Sequence, residues 1–374
     1  MKSNRIFILL TICLLLIFNF TVYLIYNSSR AFKLYTSLKS KNENTPYSQT
    51  TNYYHSDLSF SYRTKPLSEG VFTWNRPEER KIPLLFDQYG GRTGTTETNP
   101  SNGKKILILG CSFSFGAGVL YENTFAHLIE KGSGLKVFNQ AFSGYGLAQM
   151  LSLARELIPN LKPDVVLIQI SPWLIERAVS FLDITSQPLP GIQRFYPYLS
   201  MTKNNNKLKV SPMLQAYDVG SIKKIKPTSF LDFYINHGFG FVFRMHVFKL
   251  KKTFNSFFEF YPPSVKDHRA AEIMAYNEII SIIKKNDGTP FLLYLNSAFY
   301  SSYDISWAKK LGIPIINTHT SHASLLDSND KLSYMKKFNF MDGEEFLDGH
   351  PNILSHKIIA NDILESFKEN HIIP

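Results

Sequence analysis

The sequence predicts an α/β protein, a three-layer α/β/α domain in which helices cover both faces of a parallel, five-stranded sheet. Three observations lead there. Short apolar runs recur through residues 104–374, each closed by a turn signal. Stretches with helical spacing fall between them, so the order reads strand, helix, strand. The runs are apolar at consecutive positions, as strands covered on both faces require.

The first strand is KILIL at 105–109, ending at Gly110. Residues 123–131 read as a helix, and KVFNQA at 136–141 as the second strand. Residues 147–161 carry Met150, Leu151, Ala154, Leu157 and Ile158 at helical spacing. DVVLIQI at 164–170 is the third strand. A helix at 268–285 precedes the fourth strand, PFLLYL at 290–295. A short helix at 306–311, the fifth strand IPIIN at 313–317 and a closing helix at 355–368 complete the set. Connections of this length make right-handed crossovers the default. An insertion at about 179–265 interrupts the alternation and is rich in phenylalanine and lysine between 230 and 260. Its aromatic residues do not keep to one face, which favours a helical insertion packed on the main domain over a lid or a membrane-facing surface.

Ahead of this domain lie two other textures. Residues 6–26 (IFILLTICLLLIFNFTVYLIY) are uncharged and mostly apolar, long enough as a helix to span about 30 Å of hydrocarbon. Lys2 and Arg5 precede the run, no A-x-A site closes it, and it exceeds an ordinary signal-peptide core. The expectation is an uncleaved transmembrane anchor over residues 1–30, with a cleaved signal and a secreted protein as the alternative. Charge flanks the run on both sides, so the bulk of the chain is assigned to the outer side of the inner cell membrane without help from the positive-inside rule. Residues 31–103 read as a polar stalk followed by an irregular extension, with short strands and loops packed on the next domain and little chemistry. Residues 104–374 form the α/β domain.

Net charge is +11, yet the lysines and arginines are spread along the 374 residues and no nucleic-acid-binding motif is present. Nucleic acid is therefore excluded as the expected partner, and a basic surface facing anionic lipid or an acidic polymer takes its place. Cys13 and Cys111 cannot build a disulfide framework.

Ligands on open parallel sheets bind beyond the carboxyl ends of the strands. The first such end reads Gly110-Cys111-Ser112-Phe113-Ser114-Phe115-Gly116. A small residue before Ser112 lets the chain turn sharply, leaving the serine where a helix begins and its N–H near whatever the hydroxyl attacks. Rival motifs are missing: no Gly-Lys-Ser/Thr ends a phosphate loop, Gly144-Tyr145-Gly146 lacks the third glycine of a dinucleotide site, and G-x-S-x-G is absent. Near the other end stands Leu347-Asp348-Gly349-His350-Pro351-Asn352, before the closing helix. A histidine there can reach the edge where Ser112 sits, and Asp348 is close enough to fix its tautomer.

Together these stretches resemble the SGNH/GDSL hydrolase family. The Ser112 segment is similar to its nucleophile block, with Cys111 in place of the usual aspartate. NQAFSGYGLAQ at 139–149 resembles the second block, and the resemblance makes Gly144 an oxyanion donor through its backbone N–H. Asp348 to Asn352 resembles the terminal block with acid and base. The resemblance implies a flavodoxin-like sheet and a serine esterase or O-acyltransferase with Ser112, His350 and Asp348 as catalytic residues. It requires no metal or organic cofactor. The expected substrate is an acylated small molecule, lipid or glycan, with an inactive envelope protein that binds glycan or protein partners as the alternative. Two departures stand out. The third block's asparagine is missing from Gln169-Ile170-Ser171-Pro172-Trp173, leaving Ser171 as a substitute oxyanion donor. The acid precedes the histidine by two residues rather than three, with Glu345 and Asp342 in reserve.

Overall fold

Aliphatic side chains at consecutive strand positions need apolar cover above and below, and a sheet sandwiched by helices supplies it. The computed structural model describes residues 47–49, 53–57, 60–95, 103–179, 198–201, 208–211, 268–296, 303–328 and 330–374. Its first strands are β1 (Tyr47–Gln49), the hairpin β2 (Tyr54–Asp57) and β3 (Ser61–Thr64), then β4 (Glu69–Trp74), β5 (Arg80–Phe86) and β6 (Arg92–Thr93). There follow β7 (Lys105–Leu109), α1 (Ser112–Phe115), α2 (Phe125–Ser133), β8 (Lys136–Asn139), α3 (Leu147–Leu161), β9 (Val165–Ile170) and α4 (Pro172–Val179). Beyond a separate hairpin of β10 (Tyr198–Met201) and β11 (Leu208–Ser211) come α5 (His268–Lys285), β12 (Thr289–Tyr294) and β13 (Ile315–Asn317). The chain closes with α6 (Thr318–Ser324), α7 (Lys331–Phe338), the hairpin β14 (Phe340–Asp342) and β15 (Glu345–Asp348), and α8 (Ile353–Glu369).

Nine strands form one mixed sheet in the order β1-β4-β5-β6-β8-β7-β9-β12-β13. The contiguous set β8-β7-β9-β12-β13 is parallel throughout. Right-handed crossovers on that order place α2 on one face and α3 and α5 on the other, and the closing α8 joins the face of α2. The packing agrees, α2 lying against α8 and α3 against α5. β9 sits in the middle of the set with all six residues buried. Each large aliphatic side chain it buries is worth about 1.5–3 kcal/mol.

The sheet differs from the expected five strands because the N-terminal extension continues it. In β4 and β5 alternate residues are buried (Phe72, Trp74, Ile82, Leu84, Phe86), the period of strands with one covered face. These side chains cluster with Phe115 and Ala117, so the extension buttresses the turn that follows β7. β6 joins the two halves through Arg92 opposite Asn139.

Helix starts move by a residue or two for a capping reason. Thr124 caps α2, its hydroxyl accepting from His127 N–H at 3.3 Å, and Asn352 caps α8, its side chain accepting from Ser355 N–H at 3.0 Å. The short helix at Ser306–Leu311 is 3-10 and stops at Gly312, whose φ is +67°. Among the described residues no helix is long and apolar enough to cross a membrane. The apolar run at 6–26 lies outside the described residues, as does the insertion apart from β10 and β11.

Candidate active site

β7 delivers the chain to the carboxyl edge of the sheet, and Gly110 begins the turn. Cys111 takes the N-cap position of α1 in extended backbone, with no side-chain capping bond. Ser112 is therefore the first helical residue, not the cap, and the ordinary structural use of such a serine does not apply. Ser112 is 8% exposed, and its side chain makes no hydrogen bond among the described residues. Four residues cannot sustain a helix by themselves, since nucleation is unfavourable. The turn is held from outside.

Arg92, only 1% exposed, provides one hold. Its guanidinium donates to Phe115 O at 3.1 Å, to Gly116 O, and to Val119 O at 2.6 Å. A cation at a helix C-terminus offsets carbonyl charge that the helix leaves unpaired. Burial lowers the Arg92 pKa from 12.5 to about 10, which leaves it charged at neutral pH. Asn139, at the end of β8, adds a bond from its amide to Ser114 O at 2.9 Å.

A second hold comes from the end of β9. The Gln169 side chain accepts from Cys111 N–H at 2.9 Å and from the Ser114 hydroxyl at 2.8 Å. Its amide nitrogen donates to Ser171 Oγ at 2.8 Å and Cys111 Sγ at 3.2 Å. The Trp173 indole N–H also points at Cys111 Sγ, at 3.3 Å. Ser171, the expected substitute for the block-three asparagine, is fully buried and its hydroxyl donates to Leu295 O at 2.6 Å. A serine hydroxyl has one proton. In this arrangement none is left for an oxyanion.

The loop between β8 and α3 carries Gly144, at φ +82°, backbone that glycine adopts without strain. Phe142 N–H donates to Gly110 O at 3.3 Å, which ties this loop to the Ser112 turn. Tyr62 donates to Ser143 O, Tyr145 OH to Tyr62 O at 2.7 Å, and Arg177 to Tyr145 O at 3.1 Å. Among the described residues, neither the Gly144 nor the Ser112 backbone N–H has an acceptor.

His350 arrives from the hairpin that follows α7. β15 ends at Asp348, and Asn339 pins the next residues by donating to Gly349 O at 3.0 Å and His350 O at 3.2 Å. Asp348 Oδ1 accepts from His350 backbone N–H at 2.8 Å and contacts ring Nδ1 of the same residue. The two-residue spacing works because the bond to the backbone amide curls the loop and turns the ring onto its acid. Of the reserve acids, Glu345 pairs with Arg76 at 3.1 Å and Asp342 lies at the far end of the hairpin, opposite Glu345. The His350 ring lies 5.4 Å from that of Phe113, the residue after Ser112, and Phe113 lies 4.7 Å from Trp173. Segments separated by more than half the chain thus meet at one edge of the sheet.

The chain is similar in structure to a solved lipase and to solved esterases. A GDSL-like lipase from Bacteroides thetaiotaomicron matches at 13% identity over 71% of this chain and 89% of its own, with a TM-score of 0.36. A catalytic mutant of an acetylxylan esterase from Geobacillus stearothermophilus matches at 12% identity over 72% and 95%, with a TM-score of 0.35. The psychrotrophic esterase EstA from Pseudoalteromonas sp. gives 13% identity over 71% and 97%, at 0.33. No protein-family model and no curated protein matches the sequence. The functional reading therefore rests on this chain's own residues.

Three contributors escape the sequence reading. Gln169 had a signal, a lone amide in an otherwise aliphatic strand, which must be fully bonded when buried. Arg92 and Asn139 carried none, because their partners are backbone carbonyls far away in sequence.

Proposed function

We propose that the chain is a serine-dependent ester hydrolase or O-acyltransferase acting on an acylated small molecule, lipid or glycan. Ser112 is the nucleophile, His350 the base and Asp348 the acid that orients it. The observation that carries this reading is the Asp348–His350 pair standing beside Phe113, next to a serine hydroxyl that serves no structural bond. In the first step His350 Nε2 takes the Ser112 proton while Oγ forms a bond to the ester carbonyl carbon. The backbone N–H groups of Ser112 and Gly144 hold the resulting oxyanion. The intermediate collapses as the carbon–alkoxide bond breaks, and His350 returns the proton to the departing alcohol. Water or a second alcohol then attacks the acyl-serine by the same proton route. Water makes an esterase; a sugar hydroxyl makes an O-acyltransferase. The apolar run at 6–26 anchors the chain in the inner cell membrane, with the catalytic domain on the outer side.

The commitment of the Ser171 hydroxyl favours a second reading, a non-catalytic envelope protein that binds glycan or protein through the same edge. Losing one oxyanion donor costs about 3 kcal/mol, enough to slow an enzyme greatly. Labelling with a fluorophosphonate probe separates the two. Wild type is expected to label and Ser112→Ala to remain unlabelled. Equal labelling of both, or none of either, removes the enzymatic reading.

A further inference from the structure

We infer that Gln169 is a positioning residue whose carboxamide sets the orientation of Ser112 by clamping the turn on both sides of it. The inference rests on the proposed function for its catalytic consequence, and on geometry alone for the clamp. A primary amide has two acceptor sites on oxygen and two hydrogens on nitrogen. All four are used here, on Cys111 N–H, the Ser114 hydroxyl, Ser171 Oγ and Cys111 Sγ. Two of these contacts reach the residue before Ser112, and one reaches the residue two after it. The network continues in both directions. The Ser171 hydroxyl donates to Leu295 O at 2.6 Å, and Tyr276 OH donates to the backbone carbonyl of Gln169 at 2.9 Å. The side-chain amide is thereby linked through Ser171 to the residue that follows β12, and the Gln169 backbone to α5.

Space enforces the same arrangement. A Cβ on Gly110 would stand 2.5 Å from Gln169 Oε1 and 2.6 Å from Ser114 Oγ, so only glycine lets the amide approach this closely. Burying an amide among Val165, Val166, Leu167, Ile168 and Ile170 costs stability unless every bond is made. An aliphatic residue would fill the strand equally well. What the glutamine adds is direction: a polar link from the sheet core to the backbone that aims the Ser112 hydroxyl.

Gln169→Met keeps the side-chain length and removes all four bonds; Ser114→Ala removes only one and leaves the strand intact. Hydrogen exchange on the full chain reads the clamp without any substrate. Exchange in a peptide covering residues 110–117 is expected to accelerate in both variants, more in Gln169→Met, while peptides from α8 stay as in wild type. Steady-state hydrolysis of p-nitrophenyl acetate reads the consequence. A misplaced nucleophile predicts a kcat loss of up to about 100-fold in Gln169→Met, with KM within about threefold and the pH profile unmoved. Should Gln169→Met not fold, a smaller kcat loss at constant KM in Ser114→Ala supports the clamp. Unchanged exchange in residues 110–117, or a change in KM alone, overturns it. If wild type does not label at Ser112, the enzymatic reading fails separately, and the exchange data still decide whether Gln169 holds the turn.

Discussion

Asparagine at position 348 would keep the shape of the acid and one acceptor oxygen while deleting its charge. The same oxygen, Oδ1, receives the His350 backbone N–H at 2.8 Å and meets ring Nδ1. The loop is therefore expected to keep its path in Asp348→Asn, and the cost falls on the imidazolium that forms when Ser112 gives up its proton. With charge centres about 4 Å apart and an effective dielectric of about 20, that pair is worth about 4 kcal/mol. The side chains of His350 and Asp348 are 24% and 11% exposed, so solvent trims the figure towards about 3 kcal/mol. At about 1.4 kcal/mol per decade, kcat/KM should fall about 10²- to 10³-fold. The assay is hydrolysis of p-nitrophenyl acetate between pH 7 and 8, with fluorophosphonate labelling rate as a second measure. Activity within about threefold of wild type would refute the assignment, and a larger loss in Asp342→Asn would transfer the role to the reserve acid.

Two further outcomes follow from buried groups. Arg92→Met strips the donors from Phe115 O and Val119 O and leaves Gly116 O with only Val119 N–H at 3.4 Å, and each buried carbonyl left unpaired costs about 1–3 kcal/mol. The urea midpoint should drop by the equivalent of about 3–5 kcal/mol, whereas a loss below about 1 kcal/mol would mean that Arg92 does not hold the turn. Acid stability is the other case. His356 is fully buried against Phe125, whose N–H it accepts at 3.2 Å. Burial first, and then the charge of Arg92, holds its pKa down at about 3 against an ordinary 6.5. Between those values the unfolded chain carries a proton that the folded chain refuses, so stability falls as pH drops below 6.5. His322, held at about 4 chiefly by burial, acts in the same direction. Each fully developed proton difference contributes about 1.4 kcal/mol per pH unit. Urea unfolding of His356→Gln should show an acid slope smaller by about a quarter of a proton at pH 7, rising to nearly one proton at pH 5. A slope equal to wild type would contradict this account.

What the chain's residues reveal on their own is local and periodic. KILIL and DVVLIQI are strands because consecutive aliphatic residues suit two covered faces, and residues 147–161 and 268–285 are helices over the spans their spacing predicts. The placement of Ser112 and His350 followed for a related reason: a serine after a strand and a histidine before the last helix both belong at the carboxyl edge of a parallel sheet. The spacing left open which carboxylate lies against the His350 ring, and the hairpin ending at Asp348 brings that one into contact. Short strands were expected in the N-terminal extension, but that four of them continue the main sheet antiparallel was not, since their pairing depends on partners distant in sequence. The same holds for Arg92 and Asn139, whereas Gln169 showed only as a lone amide in an aliphatic strand, with its partners unread. A hydrogen bond to a distant carbonyl or amide leaves no periodic trace in sequence, since it is made only after the sheet and its covering helices have brought the two ends together.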